Sequence, residues 1–284
     1  MDSRAPGRAL RGAVFLCLSA AVAQPQAHPE IDWQIAEFTR RIEARPTDTS
    51  LYVHRGELHR IHRDWPAAKA DFLQARALDP QLETIDFHLG RLELEAGDLA
   101  AAVAALDRFL AKHPDHEPAL AARAEARSRG GRYLEAARDW TRAIAATDGP
   151  QPTHYIERAR ALVAAGNDHV AEALRGLDEG LTRLGRPVTL ELEAIELELR
   201  RGAYDSALAR VDRIAAAAAR QESWLVRRAE ILELAGRPDE ARAAYARALV
   251  AIEALPASRR GNRAMLKLRG QAADAVERLQ ARGR

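Results

Sequence analysis

The stretch 49–80 reads T-S-L-Y-V-H-R-G-E-L-H-R-I-H-R-D-W-P-A-A-K-A-D-F-L-Q-A-R-A-L-D-P, and much of the rest of the chain repeats it. It holds one amphipathic run, a turn at Arg63-Asp64, a second amphipathic run and a closing Asp79-Pro80. Two antiparallel helices of this length cannot bury both apolar faces on their own. They need copies stacked beside them.

The copies are present. Ala68, Ala102, Ala136, Ala173, Ala207 and Ala241 follow one another at spacings of 34, 34, 37, 34 and 34 residues. Four residues after each alanine comes a larger side chain: Phe72, Leu106, Trp140, Leu177, Val211 or Tyr245. Three further on stands Ala75, Phe109, Ala143, Gly180, Ile214 or Ala248. Gly97, Gly131, Gly166, Gly202 and Gly236 mark the turns inside the later hairpins, where Arg63 holds the place in the first. Glycine fits there because the residue that ends such a helix adopts a left-handed backbone.

This pattern resembles the tetratricopeptide repeat (TPR) family, with its 34-residue period and small/large alternation. The resemblance covers about residues 49–255. Its other marks are Tyr52, Gly56, Trp65 and Pro80 in the first copy. The second copy adds Leu89-Gly90, Gly97-Asp98 and Pro114, and the third Ala124, Gly131-Arg132-Tyr133 and Trp140. The fold it implies is all-α: a right-handed α-solenoid of about six stacked helix-turn-helix repeats with capping helices at both ends.

The expected repeats are 49–82, 83–116, 117–151, 152–187, 188–221 and 222–255. Their helices are expected at 49–62 with 66–78, 83–96 with 99–112, and 117–129 with 133–146, then at 152–165 with 169–184, 188–200 with 204–218, and 222–235 with 238–254. Ile31, Ile35, Phe38 and Ile42 recur at helical spacing and give residues 24–48 an N-terminal capping helix. Residues 256–284 supply a basic capping helix and tail, with eight Arg or Lys against three acids from Glu253 onward. That helix is read as a solvated cap, with self-association or an acidic surface as its other uses. The fourth repeat carries two extra residues between Gly166 and Ala173, and glycines at 176 and 180, so looser packing is expected there. Residues 147–152, T-D-G-P-Q-P, are the most turn-rich linker and the place where the array would flex or divide.

Residues 1–23 read as a cleavable export signal rather than as fold. Arg4, Arg8 and Arg11 precede the apolar run A-V-F-L-C-L-S-A at 13–20, and Ala21-Val22-Ala23 supplies a small-x-small cleavage pattern. A periplasmic or extracellular location follows. Cys17, the only cysteine, lies inside this segment behind Val14-Phe15-Leu16, without the small residue that a lipoprotein cleavage site needs. The mature chain would have no disulfide or thiolate metal site. With that segment's three arginines and one aspartate removed, the 43 basic and 41 acidic residues come into balance, so nucleic acid is not an expected partner. No mature stretch is long and apolar enough to span a membrane.

Catalytic motifs are missing: there is no P-loop, dinucleotide fingerprint, His-Glu-x-x-His or nucleophile elbow. The reading is therefore of a non-enzymatic scaffold without a cofactor. His54, His59, His62 and His88 form the one cluster that could serve the alternative, a metal-binding protein or metal-dependent enzyme. Imidazole with nearby Asp64 and Asp86 suits zinc or nickel, against the plainer reading of solvated or partner-contacting histidines. His113-Pro114-Asp115-His116 is read as a structural turn between repeats.

The TPR resemblance implies a concave face, lined by the first helix of each repeat, that takes an extended peptide or a partner helix. One residue after the small position of each first helix stand Glu57, Arg91, Glu125, Arg160, Glu196 and Glu230, the first four alternating in sign. They either form ion pairs along the wall or make a polar groove that selects a charged segment. The candidate groove is His54, Glu57, Phe87, His88, Arg91, Glu125 and Arg160, for an unidentified protein or peptide. The lysine- and asparagine-rich carboxylate clamp of chaperone-binding members is absent, since the corresponding positions carry Val53/Glu57 and Phe87/Arg91.

Overall fold

The computed structural model of the protein describes residues 29–282. The export segment 1–23, with Cys17, lies outside the described residues, as do 24–28 and 283–284. Among the described residues there is no strand. A lone helix α1 (Pro29–Ala44) precedes the hairpins α2 (Thr49–Ile61) with α3 (Trp65–Leu78), α4 (Thr84–Ala96) with α5 (Leu99–Lys112), and α6 (Glu117–Arg129) with α7 (Tyr133–Ala145). They continue as α8 (Pro152–Ala165) with α9 (Val170–Arg183), α10 (Val188–Arg200) with α11 (Tyr204–Ala217), and α12 (Glu222–Leu234) with α13 (Pro238–Glu253). A short α14 (Ala257–Arg260) and a long α15 (Arg263–Arg282) close the chain.

The turns have the expected backbone. Gly97, Gly131, Gly202 and Gly236 have φ of 94°, 77°, 70° and 69°. Arg63 adopts the same conformation with φ 61°, at a cost on the order of 1 kcal/mol for a residue with a Cβ. Gly166 differs, with φ 147° and ψ 163°, and leads into a 3-10 turn at Asn167–His169. That turn absorbs the two extra residues of the fourth repeat.

Contacts divide the chain between Leu78 and Asp79 into two compact units. In the first unit, α1 lies on α2: Ile42 is buried, Phe38 stacks on His54 at 5.5 Å, and Arg55 Nη1 donates to Thr39 Oγ1 at 3.0 Å. Inside the hairpin, a Cβ on Gly56 would stand only 2.6 Å from the fully buried Phe72 ring. The small position exists so that the large side chain opposite can fill the crossing.

The second unit repeats this arrangement, as at Gly90, where a Cβ would lie 2.5 Å from Leu106 Cγ. Ala136, Ala137 and Ile144 of α7 share one buried cluster with Tyr155, Ala159 and Leu162 of α8, so the linker 147–152 joins packed helices and the division falls elsewhere. In the fourth repeat the glycine at 180 marks a close crossing rather than a gap. A Cβ on Gly180 would meet Tyr155 Cγ at 2.7 Å and Leu190 Cδ1 at 2.9 Å, and Tyr155, Leu177 and Leu181 are essentially sealed from solvent. Glycine is present there because α8 and α9 approach closely. At the far end, Ala272, Ala275 and Leu279 of α15 join the cluster of Tyr245 and Ala248 of α13, closing the apolar surface of the last hairpin.

Candidate partner-binding wall

The position just before each small residue of a first helix is arginine in four repeats: Arg55, Arg123, Arg158 and Arg228. The first three fasten their own hairpins, and the fourth links neighbouring repeats. Arg55 donates to Asp71 at 2.9 and 2.7 Å, and Arg123 donates to Asp139 at 2.9 and 2.7 Å. Both pairs join residues sixteen apart in sequence, from the first helix to the second. Arg158 has no aspartate in that register. Its Nη2 donates instead to the Gly176 carbonyl at 3.1 Å and to Glu179 at 2.8 Å. A Cβ on Gly176 would sit 2.7 Å from that same nitrogen, so a larger residue there would displace the guanidinium. Arg228 reaches back to Asp212 of the preceding repeat at 2.9 Å. The small/large repeat pattern does not single out this arginine set, although the sixteen-residue Arg/Asp interval is present in the sequence.

One residue beyond the small position, the side chains emerge on a different surface. In the second unit α4 neighbours α6 and α8 neighbours α10, so first helices form a wall. Arg91, Glu95 and Glu125 border a depression of about 240 Å³ floored by Ala121, Ala122 and the edge of Trp140. Arg160, Glu193, Glu196 and Arg200 border a second, of about 600 Å³, and Arg227, Glu230 and Glu233 a third, of about 620 Å³. Alanines leave room in the first two hollows, and charged residues rim all three.

Ion pairs run along this wall. Arg160 Nε and Nη2 donate to Glu193 at 3.1 and 3.2 Å, and Nη1 donates to Glu157 at 2.9 Å. These contacts hold the Arg160 guanidinium above its usual range, the hydrogen bond to Glu193 outweighing burial. Arg227 bridges Glu196 at 2.5 Å and Glu230 at 3.3 Å. Arg91 lies over the Phe87 ring at 5.6 Å, and His88 tilts against that ring at 6.0 Å. Phe87 also packs on Phe109 and His116, so most of its ring anchors α4. The wall thus brings Phe87, His88 and Arg91 together, with Glu125 across the first hollow and Arg160 on the next.

His54 and Glu57 hold the equivalent register in the first unit. His54 Nδ1 lies 2.6 Å from the Ser50 carbonyl, and Glu57 accepts from Arg60 at 3.1 and 2.9 Å. His59 stands 3.9 Å from both Asp64 and Asp71, and His62 stands 3.6 Å from Asp32. Burial pushes the His59 ring below its usual range, the neighbouring aspartates opposing that shift. Among the described residues no group of three or more His, Cys, Asp or Glu is arranged to hold a metal ion. The four histidines instead engage separate local partners.

Residues 54–117 and 87–152 each match the tetratricopeptide repeat model. These are TPR repeats. Among solved structures, the C-terminal part of a TPR repeat-containing protein from Cytophaga hutchinsonii aligns with a TM-score of 0.66 at 12% identity, covering 87% of this chain and 95% of that one. A tetratricopeptide repeat protein from Parabacteroides merdae gives 0.52 at 16% identity, over 86% and 93%. A MamA structure gives 0.50 at 16% identity, over 55% and 90%. Such likeness is one of fold: the protein is a TPR-like helical solenoid. No curated protein matches the sequence.

Proposed function

We propose that the protein is a non-enzymatic TPR scaffold that holds a protein or peptide segment against the wall of first helices. The observation that carries this reading is the series of charge-rimmed hollows along the second unit, bounded by Arg91/Glu125, Arg160/Glu196 and Arg227/Glu230. Hollows rimmed by charges of both signs offer an extended segment places for its side chains and partners for its charges. Phe87, His88, Arg91, Glu125 and Arg160 form the contact set here, and His54 and Glu57 are the corresponding positions of the first unit. TPR repeats serve in general as binding modules rather than catalysts. Among the described residues no helix is long and apolar enough to cross a membrane.

The test is capture from an envelope extract with the chain from Gln24 onward, beside a version carrying Arg91→Glu and Arg160→Glu. Arg160 is more than half exposed, and breaking its ion pairs costs under about 1 kcal/mol; a melting curve of the double variant checks that the reversal at Arg91 also leaves the fold intact. The expected result is a partner whose affinity falls at least about tenfold, the effect of losing one charge-assisted contact. Equal capture by both versions removes this wall from consideration. We also propose export, on the basic-apolar-small pattern of residues 1–23. Sequencing the N-terminus of the protein from its producing cell should give Gln24 first, and an intact Met1 overturns it.

A further inference from the structure

The passage from the fifth repeat to the sixth contains a cavity that shares no lining residue with the hollows of the wall. The start of α10, the end of α11 and the start of α12 enclose about 240 Å³. The space exists because α11 ends in the alanine run 215–219, whose methyl groups cannot fill the gap that a leucine or phenylalanine would. Ile214, Ala217, Ala218, Val188 and Trp224 make the lining apolar. Ile214 is buried, whereas Val188 is 45% exposed at the edge.

The polar part of the lining is Arg186, Arg213 and Glu191. Glu191 is 3% exposed and accepts from Arg186 Nη2 at 2.7 Å and from Arg210 Nη1 at 3.1 Å, with Arg213 Nη2 at 3.5 Å. Arg210 is also committed to Glu198 at 2.7 Å and Asp178 at 2.9 Å. Among the described residues, Arg186 and Arg213 have only the shared Glu191 as an ion-pair partner, each through a single nitrogen. Their side chains are 52% and 46% exposed. A guanidinium carries five N–H donors in a planar fork that matches a carboxylate. Two such forks around one buried carboxylate leave the cavity with a net positive charge and unused donors at its edge. Arg186 is held there by a left-handed backbone with φ 61°, after Gly185.

We propose that this cavity binds a compact monocarboxylate, with an aromatic or branched apolar body against Trp224 and Ile214 and its carboxylate across Arg186 and Arg213. The apolar lining disfavours a second charge, and the arginines disfavour cations. Phenylacetate is the probe, titrated into the protein and followed by calorimetry and by the NMR indole signal of Trp224. The expected result is saturable binding that shifts this signal. Affinity should fall at least about tenfold with the neutral phenylacetamide and again with the R186Q/R213Q variant. That variant leaves Arg210 on Glu191, and a melting curve reports whether it stays folded. Ala217→Phe, which fills the cavity from an exposed position and keeps both arginines, should abolish binding independently. The proposal is overturned by the absence of saturable binding, by equal binding of acid and amide, or by binding that persists in the filled variant.

Discussion

Arg123 and Arg160 lie on first helices of adjacent repeats, yet their ion pairs differ in weight. Asp139 is 3% exposed and accepts from both Arg123 and Arg127, at 2.7 and 2.5 Å. Burial alone would lower the Arg123 ionisation range, and the hydrogen bonds to Asp139 and Asp107 reverse that. Replacing Asp139 by Asn removes the buried countercharge of Arg123 and leaves only the half-exposed Asp107, a loss of up to about 3 kcal/mol. The exposed Arg160–Glu193 pair contributes at most about 1 kcal/mol. Urea unfolding of Asp139→Asn beside Glu193→Gln should therefore show a large fall in midpoint for the first and almost none for the second. Equal effects would mean that the Arg123 pair does not fasten the hairpin. Both partners could be read from the chain as charges at helical positions. Which pair is buried could not, because burial depends on the hairpin closing over them.

At the scale of the element, helix α6 shows how a turn between repeats acquires a chemical role. His116 caps it, Nδ1 accepting from the Ala119 amide at 3.2 Å, while its ring lies 5.0 Å from Phe87 and 4.9 Å from Phe109. Burial, then the nearby His113, hold its ionisation below the usual histidine value of 6.5, against the pull of Glu117. The unfolded chain thus binds a proton more readily than the folded one. Stability is full above about pH 6.5 and declines as pH falls below it, because the protonated ring can no longer accept the cap hydrogen bond. His59, also lowered by burial, acts in the same direction. Urea midpoints at about pH 7.5 and about pH 5.5 should differ less in His116→Asp, which keeps a cap acceptor without titrating in that window. An unchanged difference would remove His116 as the cause. Reading His113–His116 as a structural turn needed only the sequence. The cap needed the ring's position relative to Ala119.

For the whole molecule, a repeat stack has to be closed at its ends. Deleting residues 256–284 uncovers Tyr245 and Ala248 and removes the Arg278–Glu233 pair at 2.6 Å. The truncated chain should melt at lower temperature and run as larger species on size-exclusion chromatography. A monomer with the parent's melting point would show that α15 is dispensable as a cap. The sequence by itself determined the period, the hairpins and the turns, since each rests on residues a few positions apart: a small residue opposite a large one, or a glycine where the backbone must turn left-handed. Arg63 shows the force of that rule, adopting the conformation without being glycine. Only the tertiary structure decided where the contacts divide, how tightly the fourth repeat packs, which arginines become buried staples, and that a cavity opens beside Trp224. The physical reason is distance in the chain: these features depend on how helices far apart in sequence approach one another, and a local pattern leaves that approach open.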